Sequence, residues 1–209
     1  MKKTIFTDFD GTVSKVDSCF AMVKALAGYG WQELNKKWEE KKLSTLECAN
    51  QTFALFDADI DDIKNLLDTI EVDEYFQEFL ALCRSKNYEL YILSDGYDFN
   101  IQTILDRYNI NAKYFANKLL YDGSRFKVEC PYQSDSCQRC GTCKTELIKQ
   151  LAPEDSQVIY IGDGHSDMCP AAEADIVFAK EVLYRYCQEK GINAIHFTNF
   201  KDIITSGLI

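Results

Sequence analysis

The sequence predicts an α/β protein: a doubly wound parallel, Rossmann-like sheet with an inserted all-helical cap. Three observations carry this. Short β-branched and aromatic runs recur at Lys3-Thr4-Ile5-Phe6-Thr7, Tyr88-Glu89-Leu90-Tyr91-Ile92-Leu93 and Gln157-Val158-Ile159-Tyr160-Ile161, as buried parallel strands do. Each run ends in acids or hydroxyls, at Asp8, Ser94-Asp95 and Gly162-Asp163, and helical sequence follows each. The interval between the first two runs is far longer than an ordinary crossover and reads as helix throughout.

Taken in order, the first strand is followed by apolar residues at helical spacing in Phe20, Val23 and Ala27, then in Leu46, Ala49, Phe53 and Phe56. Ser44 precedes Glu47 by three residues, a capping box, and Asp59 precedes the periodic run Ile63, Leu66, Leu67 and Ile70. Four helices are expected from about 16 to 70, and a fifth, about 73 to 86, returns the chain to the sheet. The expected domains are therefore a core of residues 1–14 and 87–209 and an inserted cap of 15–86. Trp31, Trp38 and Tyr75 read as packing residues. A helix is expected from Tyr97 to Tyr108, then a hairpin of Tyr114–Leu120 and Arg125–Glu129 around Asp122-Gly123. A cysteine-rich loop leads to a helix over Lys144–Leu151. Beyond the third strand come Ile176-Val177-Phe178, a helix near Val182–Glu189, a short strand at Ala194-Ile195 and a terminal helix.

Composition narrows the function. The 209 residues carry 23 Lys and Arg against 33 Asp and Glu, a net charge of -10, which argues against binding nucleic acid or anionic lipid. With 46% hydrophobic residues the chain can bury a real core. No apolar run approaches a membrane span, and Asp8 comes too early for a signal-peptide core, so a cytoplasmic protein is expected, as a monomer or homodimer.

The chemistry lies at the strand ends. Asp8-Phe9-Asp10-Gly11-Thr12 places two carboxylates two residues apart, both on one side, with Phe9 turned to the core. Acids so close repel unless one is protonated or a cation sits between them. Asp163 and Asp167, in Gly162-Asp163-Gly164-His165-Ser166-Asp167, form a second acidic group at a neighbouring strand end. An all-oxygen set suits Mg²⁺, and Mg²⁺ among acids points to a phosphate substrate, here a small phosphorylated metabolite.

With these residues in view, the chain resembles the haloacid dehalogenase superfamily of phosphatases. Asp8-Phe9-Asp10-Gly11-Thr12 is similar to its first motif, Ser94 to its second, Lys144 to its third and Gly162 through Asp167 to its fourth. The resemblance implies Asp8 as the nucleophile that forms an aspartyl-phosphate, and Asp10 as general acid and then base. It implies Mg²⁺ on the Asp8 and Asp163 carboxylates and the Asp10 carbonyl. Ser94 would bind a phosphoryl oxygen, Lys144 would neutralise the phosphate and restrain Asp8, and Asp167 would hold Lys144 or a metal-bound water. Asp17, Asp95 and Gly96 are expected beside Ser94 and Lys144 at the substrate; Asp17 equally reads as a helix cap. His165 reads as a loop histidine without an assigned role.

The helical insertion resembles the phosphoserine phosphatase subclass, but no Arg precedes Arg84 to clamp a substrate carboxylate. Ser94-Asp95-Gly96-Tyr97-Asp98-Phe99 and the segment from Asp175 resemble a methionine-salvage branch acting on 2-hydroxy-3-keto-5-methylthiopentenyl 1-phosphate. Asp167-Met168-Cys169-Pro170 resembles the phosphoethanolamine/phosphocholine phosphatase branch. A non-catalytic phospho-metabolite sensor is the alternative from another class, and intact Asp8 and Asp10 argue against it.

Cys130, Cys137, Cys140 and Cys143 run up against Lys144. Four thiols within so short a stretch have the spacing of tetrahedral Zn²⁺ ligands. A structural zinc there would pin the loop that starts the Lys144 helix. Free thiols, a disulfide and an iron–sulfur cluster are the other readings.

Overall fold

A computed structural model describes residues 2–209. Its sheet has seven strands in the order β4-β3-β2-β1-β5-β6-β7. At the centre, β1 (Lys3–Thr7) pairs in parallel with β2 (Glu89–Tyr97) and β5 (Gln157–Gly162), Thr7 lying opposite Ile92 and Ile161. Outward from β2 come β3 (Lys113–Tyr121), parallel, and β4 (Phe126–Glu129), antiparallel to β3. Outward from β5 come β6 (Ile176–Ala179) and β7 (Ala194–His196), both parallel. The chain order therefore reverses beside β1, at the edge where α/β sheets bind ligands. All three acid-bearing strand ends meet there.

Alternation along β1 shows why this short strand holds the centre. Ile5 packs into one hydrophobic cluster with Phe76, Phe79 and Ile159, while Phe6 faces the other with Leu93, Tyr160 and Leu183. Both faces are covered, and Ile5 and Phe6 are fully buried.

The insertion holds α1 (Ser18–Leu26), α2 (Trp31–Glu39), α3 (Thr45–Phe53) and α4 (Ile60–Leu67). The Ser44–Glu47 capping box forms as read on α3, and Asp59 with Asp62 forms a second one on α4 that the reading did not include. Entry and exit of the insertion run side by side: Ser14 bridges Val72, Lys15 N–H donates to Glu71 O at 2.8 Å, and Asp73 N–H donates to Val13 O at 2.9 Å. Next, α5 (Phe76–Ser85) lies on the core side of this crossing. Its Phe76 and Phe79 rings each sit 5.0 Å from Phe200 of α10 (Phe200–Thr205).

The remaining helices are α6 (Asp98–Arg107), α7 (Lys144–Leu151), α8 (Met168–Ala171) and α9 (Glu181–Lys190). Two differences from the sequence expectation concern the site. First, β2 runs on to Tyr97, with an irregularity between Leu93 and Tyr97 that holds Ser94, Asp95 and Gly96. Such a break re-aims side chains at a strand end. Second, His165–Asp167 forms a single 3-10 turn leading into α8. No helix among the described residues is long and apolar enough to cross a membrane.

Candidate active site

Asp8 continues β1, its N–H donating to Ile161 O at 2.9 Å, and its side chain is buried. The chain then turns sharply through Gly11, whose φ is +78°. A Cβ there would lie 2.5 Å from Asp163 Oδ2, so only glycine lets the two acidic strand ends approach. Thr12 hydroxyl donates to Asp163 Oδ1 at 2.8 Å, a role beyond the turn residue that its sequence position suggests.

Lys144 opens α7 and is 2% exposed. Its Nζ donates to Asp8 Oδ1 at 2.5 Å and to Asp167 Oδ1 at 2.6 Å. Asp167 is itself held from every side. Tyr160 hydroxyl donates to Oδ1 at 2.5 Å, and the N–H groups of Asp163 and Gly164 donate to Oδ2 at 3.0 and 2.9 Å. Burial alone would lower the Lys144 pKa, but the carboxylates of Asp167 and Asp8 outweigh it and hold the amine well above its ordinary value. For Asp8, burial pushes the carboxyl well up, Asp167 pushes further, and Lys144 only partly offsets them. Tyr160 is a site residue that the sequence does not reveal, because in a buried strand it reads as packing.

Asp10 lies across from Asp8. Its Oδ1 accepts from Ser18 N–H at 2.7 Å and Ser18 hydroxyl at 2.5 Å, and Ser94 hydroxyl reaches Oδ2 at 3.5 Å. Burial, with Asp17 adding repulsion, pushes Asp10 up to about 7 despite the Ser18 bonds. A carboxyl poised near neutrality is suited to giving and taking a proton. Fully buried Asn100 donates to Ser18 Oγ at 2.9 Å and so backs this arrangement. Asp17 caps α1, accepting from Phe20 N–H at 2.8 Å, and also lines the cavity above Asp10. Gly96 N–H donates to Ser94 Oγ at 2.9 Å, and a Cβ on Gly96 would meet Asp10 Oδ2 at 2.5 Å.

The acids of Asp8, Asp163 and Asp167 bring carboxylate oxygens within 4.8 Å of one another. Asp167 is spent on Lys144, Tyr160 and two backbone N–H groups. By contrast, the only side-chain donors on Asp8 and Asp163 are Lys144 and Thr12, both to Oδ1, which leaves each Oδ2 without a donor among the described residues. Burial, then Asp167, raises Asp163 to about 6. Two acceptor-only oxygens in mutual repulsion fit a hard divalent cation such as Mg²⁺.

A cavity of about 350 Å³ opens over these groups. Its floor is Asp8, Asp10, Ser94 and Asp163, and its walls from the insertion include Phe20, Val23, Trp31, Trp38 and Ala49. Trp31 and Trp38, read from sequence as packing, thus face the cavity. Asp95, Gly96 and His165 also line it, whereas among the described residues no Lys or Arg does.

The cysteine loop corrects an expectation. Among the described residues, no three of the Cys130, Cys137, Cys140 and Cys143 sulfurs come within 4.8 Å of one another, so the geometry does not support a zinc site. The loop is organised by its backbone instead. Cys143 N–H donates to Tyr132 O at 2.8 Å, and Ser134 hydroxyl donates to Glu146 at 2.6 Å. Cys130 packs against the core and Cys137 is exposed. Burial pushes the Cys130 thiol up to about 11 and Cys140 up to about 12, which keeps both protonated in the metal-free protein. A strong chelator should therefore leave the melting temperature of the reduced, Mg²⁺-free protein unchanged. A drop of several degrees with release of zinc would restore the metal reading.

Comparison with known proteins agrees with this geometry. A family model described as Putative Phosphatase matches residues 3–192. A 2-hydroxy-3-keto-5-methylthiopentenyl-1-phosphate phosphatase of Geobacillus thermodenitrificans is 33% identical over 98% of this chain and 96% of its own length. One of the same name from Bacillus cereus is 31% identical over 97% and 94%. Among solved structures, a phospho-aspartyl intermediate analogue of phosphoserine phosphatase superposes with a TM-score of 0.74 at 20% identity, covering 97% of each chain. A haloacid dehalogenase family hydrolase from Salmonella enterica serovar Typhi gives 0.75 at 17% identity, over 97% of this chain and 69% of that one. The chain belongs to the Putative Phosphatase family and has the haloacid dehalogenase-type fold of the phosphoserine phosphatases.

Proposed function

We propose that this phosphatase is a Mg²⁺-dependent phosphomonoesterase that hydrolyses a small phosphorylated metabolite through an aspartyl-phosphate on Asp8. The substrate that fits best is the methionine-salvage enol phosphate, 2-hydroxy-3-keto-5-methylthiopentenyl 1-phosphate. The observation that carries the choice is the cavity: acids and Ser94 at its floor, aromatic and aliphatic walls above, and, among the described residues, no Lys or Arg in its lining to read a carboxylate. An uncharged methylthio chain suits such walls, since sulfur packs well against aromatic rings. The names of the Geobacillus and Bacillus relatives support the same choice.

In this reading a carboxylate oxygen of Asp8 attacks phosphorus, and the bond to the leaving oxygen breaks. That oxygen takes the proton of Asp10, whose raised pKa leaves it protonated in part near neutrality. Asp10 then takes a proton from water, which attacks phosphorus and releases phosphate from Asp8. Lys144 restrains Asp8 through Oδ1 and neutralises phosphoryl charge, Ser94 donates to a phosphoryl oxygen, and Asp167 with Tyr160 fixes Lys144. Asp8, Asp163 and the Asp10 carbonyl would hold Mg²⁺, which when bound offsets the repulsion between Asp8 and the phosphate. The insertion acts as the cap that selects the leaving group.

A substrate panel tests the choice. Phosphoserine should be turned over with kcat/KM ~10²-fold below the enol phosphate, because its carboxylate would be buried without a partner. Phosphocholine or phosphoethanolamine at the top of the panel would move the reading to an amine held by Asp17 and the two tryptophans. Phosphoserine at the top would refute the argument from a lining without Lys or Arg.

A further inference from the structure

The backbone that delivers Lys144 has an anchor outside the cysteine loop. That anchor is Asp95, in the irregular end of β2 beside Ser94. Its Oδ1 accepts from the N–H groups of Gly141 at 2.8 Å and Thr142 at 2.9 Å, and from Asn117 Nδ2 at 3.2 Å. Its own carbonyl accepts from Asn117 Nδ2 at 2.7 Å. Thr142 hydroxyl donates to Asn117 Oδ1 at 3.2 Å, which closes a ring of three side chains. Asn117 and Thr142 are buried, and Gly141 is pressed so close to Asn117 that a Cβ would collide with its amide. Lys144 follows two residues after Thr142.

The second oxygen of Asp95 faces the insertion. Oδ2 accepts from Thr45 hydroxyl at 3.2 Å, at the first residue of α3. Thr45 N–H also donates to Arg139 O at 3.1 Å, within the same loop. Thr45 hydroxyl in turn accepts from Trp38 Nε1 at 3.1 Å, and Trp38 walls the cavity. The carboxylate of Asp95 thus takes four donors from three separate segments. Leaving any of them unpaired in so enclosed a place is costly, which makes the arrangement cooperative.

We propose that Asp95 is a positioning residue that ties the seating of the cap over the cavity to the alignment of Lys144 with Asp8. Oδ1 holds the Lys144 loop and Oδ2 holds the cap, so a substrate gripped by the Trp38 wall steadies the phosphate end of the site through one side chain. The inference rests on the role given to Lys144 above. It differs from a role for Asp95 in reading the leaving group, because its oxygens are committed to internal donors.

The test compares Asp95→Ala, Asp95→Asn and Thr45→Val in the full chain with Mg²⁺. Asp95→Ala should lower kcat on p-nitrophenyl phosphate by ~10²-fold, since small misplacement of a reacting group has effects of that size. Asp95→Asn should recover most of that loss, because the amide oxygen can keep Gly141 and Thr142 while its NH₂ turns to Thr45 Oγ1. Thr45→Val, which cuts only the cap arm, should raise KM for the cavity-filling enol phosphate more than it lowers kcat.

Hydrogen exchange supplies a readout free of turnover. The amides of Gly141 and Thr142 should exchange faster in Thr45→Val than in wild type. Wild-type kcat in Asp95→Ala, or unaltered exchange at Gly141 and Thr142 in Thr45→Val, would overturn the coupling. So would equal damage from Ala and Asn confined to amine-bearing substrates. Failure of wild type to turn over any phosphomonoester would instead refute the phosphatase mechanism, and the exchange result would still decide the coupling.

Discussion

Asp8→Asn should lower kcat for every phosphomonoester by ~10³-fold or more, because the covalent route is lost and no neighbouring group replaces it. The loss is chemical rather than structural. Burial already disfavours the charged form of Asp8, so a neutral isostere there relieves a strain instead of creating one. Lys144 keeps its second partner, Asp167, at 2.6 Å. The variant should therefore melt no lower than wild type, and KM, where still measurable, should change far less than kcat. An inactive variant that also unfolds would make Asp8 a structural residue.

Lys144→Met should behave differently, losing activity and stability together. The amine is the one cation between Asp8 and Asp167, which then confront each other in a buried space. Removing one partner of a buried ion pair costs about 3–5 kcal/mol, and removing the charge that stabilises a reacting oxyanion costs ~10²–10³-fold in kcat. The sign with pH follows from the carboxylates. Without Lys144 the folded pKa of Asp8, already held up by burial, rises further above the unfolded one, so the deficit grows as pH rises through the carboxylate range and shrinks toward acid. Adding Asp167→Asn to Lys144→Met should recover part of the stability and none of the rate. Urea titrations of the single and double variants check both statements.

The features legible in the sequence are those that rest on short-range pattern. Short β-branched and aromatic runs ending in Asp8, Ser94 and Asp163 mark the central strands, because buried parallel strands need apolar residues on both faces. The Ser44–Glu47 capping box marks the start of α3, Asp59 before its periodic run marks that of α4, and α7 begins and ends where the reading of Lys144–Leu151 places it. What stays hidden are pairings between distant segments. Tyr160 looks like any core aromatic until Asp167 folds under it. Asn117 looks like a surface polar residue, and Asp95 like a substrate contact, until the cysteine loop closes over them from 46 residues beyond Asp95 and 25 beyond Asn117. The four cysteines misled for the complementary reason. Their spacing would allow a tetrahedral site, but the loop path is set by backbone hydrogen bonds to Asp95 and Tyr132, which carry the sulfurs apart.

The central claim is that phosphate passes through Asp8. Rapid acid quench of the Mg²⁺ enzyme during turnover of a ³²P-labelled substrate, followed by peptide mapping, tests it directly. The label should appear on the peptide containing Asp8, be released by hydroxylamine as an acyl phosphate is, and be absent from Asp8→Asn. Turnover at full rate without labelled protein, or label on a histidine or cysteine peptide, would contradict it.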